Sequence, residues 1–253
     1  SVVEIAFFGG SFTAIPKDEM ISYLELTKPY METGKASGIR LSTRPDAITP
    51  AILDILNEYG VTAIELGVQS LDEEVLRESQ RGHGIEDVLV ACELIKERKI
   101  SLGVQTMLGL PKDNFQKSLA TAKRVIELKP NMIRIYPALV LKNTVLADYY
   151  LKGGYTPLTV NEAVEWCADI LPLYTESGIT VLRVGLQGSD TLEDAIIAGP
   201  YHPAFGELVE SRILYNQIVK ELDKSLLIDS NKGSKDEKKV TIITNPKLIS
   251  KII

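Results

Sequence analysis

The sequence predicts an α/β fold built on a parallel sheet, either an open or partial barrel or a doubly wound sheet. Three observations carry this expectation. Apolar strand-like runs alternate with helical patterns along most of the chain. The connections are short, and a β–α alternation of that kind means parallel strands joined by right-handed crossovers. Runs such as Val61-Thr62-Ala63-Ile64-Glu65-Leu66 are nearly continuous in apolar residues, as in a sheet covered on at least one face. No further β–α pair is evident after Val184, which disfavours a closed eight-strand barrel.

The expected strands are residues 2–8, 38–42, 61–68, 100–108, 132–136 and 179–184. Helices are expected near 17–33, 50–59, 86–98, 114–128 and 161–176. Pro50 follows Thr49, a good N-cap, and sits where a helix tolerates proline. Gly60 and Gly178 stand at C-cap positions. The helix near Asn114 puts Leu119, Ala122, Val125, Ile126 and Leu128 on one side and Lys117, Lys123 and Arg124 on the other. After the sixth strand the character changes. Residues 204–225 read as a long helix, 231–239 as a polar lysine-rich loop and 240–243 as a short strand, with Asn245-Pro246 opening a last helical turn. The expected organisation is a barrel core over residues 1–203 and a small helix-and-strand extension over 204–253.

Composition is that of an ordinary globular protein: 253 residues, 45% hydrophobic and 25% charged, enough for one large α/β domain. A net charge of −6 argues against a general grip on phosphate backbone. No apolar run reaches the length of a membrane span and no signal peptide is evident, so a cytoplasmic protein without membrane contact is expected. Cys92 and Cys167 lie in separate helical patterns and read as buried thiols. Ser1 leads at once into an apolar strand with no cap or leader, which reads as a fragment of a longer chain.

The strand ends carry the chemistry. Gly9 and Gly10 remove two side chains where the first strand ends, beside the hydroxyls of Ser11 and Thr13. The later ends carry Ser42-Thr43-Arg44-Pro45-Asp46, then Glu65-Leu66-Gly67-Val68-Gln69-Ser70 with Arg81-Gly82-His83. Gln105 precedes Gly109-Leu110-Pro111, and Tyr136-Pro137 closes the fifth strand. Residues at the carboxyl ends of neighbouring parallel strands converge on one mouth, so Gly9, Gly10, Arg44, Gln69, Gln105 and Tyr136 are expected to face a single cavity.

In this order the pieces resemble the radical S-adenosylmethionine superfamily, in particular the radical domain of the Elongator catalytic subunit and its bacterial relatives. Ile135-Tyr136-Pro137 and Arg183-Val184-Gly185-Leu186-Gln187 extend the match, which covers roughly residues 1–205. The resemblance implies a partial (β/α)6 TIM-like barrel, here lacking its first strand. It gives Gly9, Gly10 and Ser11 the amino group of S-adenosylmethionine, and puts Gln69 and Arg81 near its nucleoside and carboxylate. An arginine fork suits a carboxylate. Gly109 and Leu110 fall near the adenine. Thr13 and Gln105 complete the cofactor set, while Arg44, Glu65 and Tyr136 are candidate substrate or cofactor contacts.

Two departures stand out. The third residue of the glycine motif is Ser11, as in the Elongator-like branch, where much of the superfamily has Glu. The three cysteines of the CxxxCxxC loop that binds a [4Fe–4S] cluster are absent, and are expected upstream of Ser1; no metal ligand is assigned within the chain. The chemistry implied for the intact protein is reductive cleavage of S-adenosylmethionine to a 5′-deoxyadenosyl radical, which takes a hydrogen atom from a substrate. A flavodoxin or ferredoxin would supply the electron, and tRNA is a candidate substrate by analogy.

Plainer readings stand beside these. Arg44 can pair with Asp46 or Glu65, Glu65 can be a buried ion-pair partner, and Gly109-Leu110-Pro111 can be a simple turn. An aldolase- or lyase-like barrel binding a phosphorylated small molecule would want a strand-end lysine, and none of the six ends has one. A non-catalytic interaction domain is the third alternative. The bare edge of residues 2–8 is a pairing hazard, so self-association, or cover by the tail, is expected there.

Overall fold

The computed structural model describes residues 3–230, with side chains as far as residue 223. The strand expected at 240–243, the lysine-rich loop and the turn at Asn245-Pro246 lie outside the described residues. Six strands form one parallel sheet in the order β1 (Glu4–Phe7), β2 (Gly38–Thr43), β3 (Val61–Gln69), β4 (Ser101–Leu108), β5 (Met132–Pro137) and β7 (Thr180–Val184). The sheet curls into a half-barrel, resolving the choice between partial barrel and doubly wound sheet. Between β5 and β7 the chain forms β6 (Val140–Leu141), which pairs antiparallel with β8 (Ile196–Ala198) outside the main sheet. Strands this short carry no readable alternation, so no local pattern marks them.

The two faces of the sheet differ in chemistry. Side chains alternate along a strand, so one set faces the helices and the other the barrel lumen. The helix-facing set is aliphatic: Ile39, Leu41, Ile64, Leu66, Val68, Leu102, Val104, Ile133 and Ile135 are buried in the main core. They pack with Leu53 and Leu56 of α3 (Pro50–Glu58), Val88 and Ile95 of α5 (Ile85–Glu97), Val125 of α6 (Phe115–Glu127) and Ile170 of α8 (Val160–Glu176). The lumen-facing set includes Arg40, Ser42, Glu65, Gln105 and Arg134.

Helix ends follow the local chemistry. The Thr49 side chain accepts from the Ile52 N–H and Pro50 opens α3. Gly60 and Gly178 close α3 and α8 at φ +78° and +75°. The single helix expected over 17–33 is instead two, α1 (Lys17–Glu25) and α2 (Lys28–Glu32). Pro29 has no N–H to give and its ring would strike the carbonyl one turn back, so a new helix starts there. The short helices α4 (Glu73–Glu78), α7 (Val145–Leu151) and α9 (Asp190–Ala195) sit in segments to which no element was assigned from the sequence. Asp72, Thr144 and Ser189 cap them, each accepting a backbone N–H of its helix. The last helix, α10 (Phe205–Ser230), runs longer than expected, and Phe205 and Val209 at its start join the main core. Among the described residues no helix is long and apolar enough to cross a membrane.

Among the described residues, the edge strand β1 pairs with β2 alone. Val3, just before this strand, is exposed, as are Tyr23, Leu26 and Tyr30 in the helical segment that follows it.

Candidate active site

Glu65 anchors the floor of the lumen. It is 1% exposed and accepts from Arg134 (Nε, 2.6 Å), Gln105 (3.1 Å) and Arg40 (3.3 Å). Arg40 also binds Glu4 at 2.7 Å. Burial alone would raise the Glu65 carboxyl, but the hydrogen bonds from Arg134 and Gln105 and the Arg134 charge hold it below the usual carboxylate range. Glu65 is thus a satisfied ion-pair partner, and Gln105 is tied to it and to Ser42.

Above this floor lies a cavity of about 600 Å³. Gly9, Gly10, Gln105 and Tyr136 line it, together with Phe8, Arg134 and Arg183. Gly9 has φ +102°, which an L side chain rarely adopts, and beyond its chain neighbours no atom lies within 4 Å of where a Cβ would stand. The backbone here is open to a ligand. Ser11 lines a second, adjoining hollow with the same two glycines.

A second polar group sits at the carboxyl end of β3. Gln69 has φ +65° and is 7% exposed. The β3–β4 register shifts between Gly67 and Gln69, and the side chain folds back over Gly67. A Cβ at Gly67 would lie 2.8 Å from Gln69 Nε2 and 3.9 Å from Arg81 Nη2, so glycine is what allows the two groups to meet there. Gln69 Oε1, Arg81 Nε and His83 Nδ1 are all buried without a hydrogen-bond partner. Burial pulls the Arg81 guanidinium down from its ordinary range, and the Arg44 charge adds to this. Burial also lowers the His83 imidazole, against its contact with the Val68 carbonyl at 3.3 Å. Orphaned buried atoms are costly, and two of them on neighbouring side chains mark a place built for something else.

Thr43 joins the two places. Its Oγ1 lies 2.7 Å from the Thr13 hydroxyl, and its carbonyl is 3.6 Å from the position of a Gly67 Cβ.

Several expected contacts have other employment. Thr13 also donates to the Ala47 carbonyl at 2.9 Å, so its hydroxyl braces the glycine turn instead of facing a ligand. Gly109 donates its N–H to Asp113 (2.8 Å), and its carbonyl accepts from Tyr155, so its backbone is taken. Arg44 pairs with Asp46 at 2.6 Å and donates to the Arg81 carbonyl at 3.4 Å. The expectation of one cavity shared by all strand ends is therefore corrected: neither Arg44 nor Gln69 lines the lumen cavity. Arg81 and Leu110 line a separate hollow of about 720 Å³ with Met107 and Tyr149. Sequence reasoning missed Arg40, Arg134, Asp113 and Tyr155. A lone arginine in an otherwise apolar strand, Met132-Ile133-Arg134-Ile135, was the available signal.

Two family models cover most of the chain: "Radical SAM superfamily" over residues 1–125 and "Radical_SAM C-terminal domain" over 130–214. The chain belongs to the radical SAM superfamily. It is 32% identical over 171 residues to an uncharacterized protein of Methanocaldococcus jannaschii, covering 66% of this chain and 52% of that one. A tRNA uridine(34) acetyltransferase of the same organism is 30% identical, covering 74% of this chain and 35% of that one. Among solved structures, the fold resembles Elp3 of Methanocaldococcus infernus, with TM-score 0.74 and 24% identity, over 85% of this chain and 55% of that one. It also resembles Escherichia coli coproporphyrinogen III oxidase, with TM-score 0.57 and 22% identity, over 70% and 41%. The chain thus spans from about a third to about half the length of these curated relatives.

The superfamily's cofactors are S-adenosylmethionine and a [4Fe–4S] cluster. The described residues fit the first: the open Gly9-Gly10 backbone and the orphaned Gln69 and Arg81 atoms match its amino group, hydroxyls and carboxylate in kind. They do not fit the second. Among the described residues no three His, Cys, Asp or Glu are grouped to hold a metal. Cys92 and Cys167 are fully buried in different helices; burial pushes the Cys92 thiol up to about 11 and Cys167 up as well.

Proposed function

We propose that this chain binds S-adenosylmethionine and serves a radical enzyme that takes a hydrogen atom from its substrate. When bound and reductively cleaved, S-adenosylmethionine supplies the 5′-deoxyadenosyl radical for that step. The observation that carries the reading is the pair of buried, partnerless polar atoms on Gln69 and Arg81, held together over Gly67. Arg81 would hold the methionyl carboxylate and Gln69 the nucleoside. Gly9, Gly10 and Ser11 would take the amino group, and Leu110 would lie against the adenine. Arg44 and Thr13 would position this set, Arg44 through the Arg81 carbonyl and Thr13 through Thr43.

The relatives named as tRNA uridine(34) acetyltransferase and Elongator complex protein 3 support a tRNA-linked substrate. A flavodoxin- or ferredoxin-type protein would supply the electron. The test is anaerobic incubation of the complete gene product with dithionite and S-adenosylmethionine. Formation of 5′-deoxyadenosine and methionine is the expected result; recovery of intact S-adenosylmethionine from a reduced, iron-loaded preparation would sink the proposal.

A further inference from the structure

The lumen cavity holds a positive charge that the floor does not balance. Three arginines face the lumen, Arg40, Arg134 and Arg183, against two carboxylates, Glu4 and Glu65. Arg40 binds both carboxylates and Arg134 binds Glu65. Arg183 has no ion-pair or hydrogen-bond partner among the described residues, and is half-buried in the cavity wall.

Its position results from an irregularity in the sheet. The β5–β7 register runs Met132 to Thr180 and Ile133 to Val181, then jumps to Arg134 opposite Arg183, skipping Leu182. Without that extra residue Leu182 would stand opposite Arg134, and Arg183 would belong to the aliphatic face. Bulges of this kind re-aim side chains and are common beside active sites. The bulge brings a second guanidinium onto the lumen face, in register with the first. That placement sets an unpartnered guanidinium beside one that Glu65 already holds.

The rest of the lining agrees. Among the described residues, the cavity wall includes Ser42, Gln105, Tyr136 and Gln187 and no acidic side chain. The same cavity reaches Gly9 and Gly10. We infer that Arg183 is a substrate-binding residue that seats an anionic group, a carboxylate or a phosphate, of a substrate lying between it and the glycine opening. The inference rests on reading that opening as part of the S-adenosylmethionine seat. It adds a requirement on the substrate: an acidic group on the side of the reacting carbon away from the cofactor.

The test uses succinate and methyl phosphate as separate probes, titrated into the complete protein and followed by calorimetry and by the arginine side-chain NMR signals. One of the two should bind and shift the Arg183 signal, and which one does so tells carboxylate from phosphate. R183Q should weaken that probe about tenfold or more, as for loss of one charge-assisted hydrogen bond. R183K should recover part of it. S-adenosylmethionine affinity in R183Q should equal that of the parent. Equal probe affinity in parent and R183Q, or binding of neither probe, would overturn the inference. So would a loss of S-adenosylmethionine affinity in R183Q, which would move Arg183 to the cofactor. If S-adenosylmethionine binds nowhere while the probe still depends on Arg183, the cofactor reading fails and the anion seat stands.

Discussion

The lumen floor and the end of β3 are both polar and buried, yet they are built on opposite terms. At the floor, Glu65 meets Arg134, Arg40 and Gln105, and every charge faces a partner. At the end of β3, Gln69, Arg81 and His83 each keep a buried atom with nothing to bind. A completed network rigidifies the sheet that carries it. An incomplete one stores a cost that a ligand can relieve. The difference separates scaffold from site more sharply than residue type does, since both regions hold an arginine and a glutamine.

The largest expected effect breaks the floor. Glu65→Gln leaves Arg40 and Arg134 without their shared charge, and should cost about 3–5 kcal/mol in denaturant unfolding. The same carboxyl makes stability depend on pH. Its folded pKa lies below the unfolded value, so its contribution is present above the unfolded carboxylate range and is lost as pH falls through the folded pKa. Acid unfolding of the parent should therefore be steeper than that of Glu65→Gln.

The next variant sharpens the contrast from the other side. Arg81→Met removes a guanidinium with a buried, unpaired Nε, so stability should hold or rise while S-adenosylmethionine binding weakens. A fall in stability matching that of Glu65→Gln would erase the distinction. Thr13→Val removes the bonds to Thr43 and Ala47, and should cost on the order of 1 kcal/mol by the same unfolding measurement.

The smallest effect concerns His83. Its folded pKa is lowered, so the folded protein binds fewer protons than the unfolded one. The stability it contributes is present above the unfolded imidazole pKa and declines as pH falls through the folded one. His83→Gln should flatten that part of the pH–stability curve, measured by thermal melts. An unchanged slope would show that the imidazole does not titrate on unfolding.

Much of the fold was legible because a parallel sheet covered by helices writes itself as aliphatic runs, and the helix caps at Thr49, Gly60 and Gly178 are local signals. The glycine opening was legible as strand-end chemistry, and Gln69 and Arg81 were singled out through the family resemblance. What the sequence hid was which polar side chains are already spent. Thr13 and Gly109 looked available, and their partners Ala47 and Tyr155 lie 34 and 46 residues away. Arg183 was visible only as part of a run; its lumen position depends on a one-residue register shift that no local pattern announces. The break at Pro29 was readable in principle, since proline stops a helix wherever the preceding turn must yield its carbonyl.

Equilibrium dialysis of S-adenosylmethionine against the complete protein and its R81Q variant tests the central claim most directly. If the partnerless atoms over Gly67 form the cofactor seat, R81Q should lose about tenfold or more in affinity while remaining as stable as the parent. Equal affinity in the two proteins would contradict it.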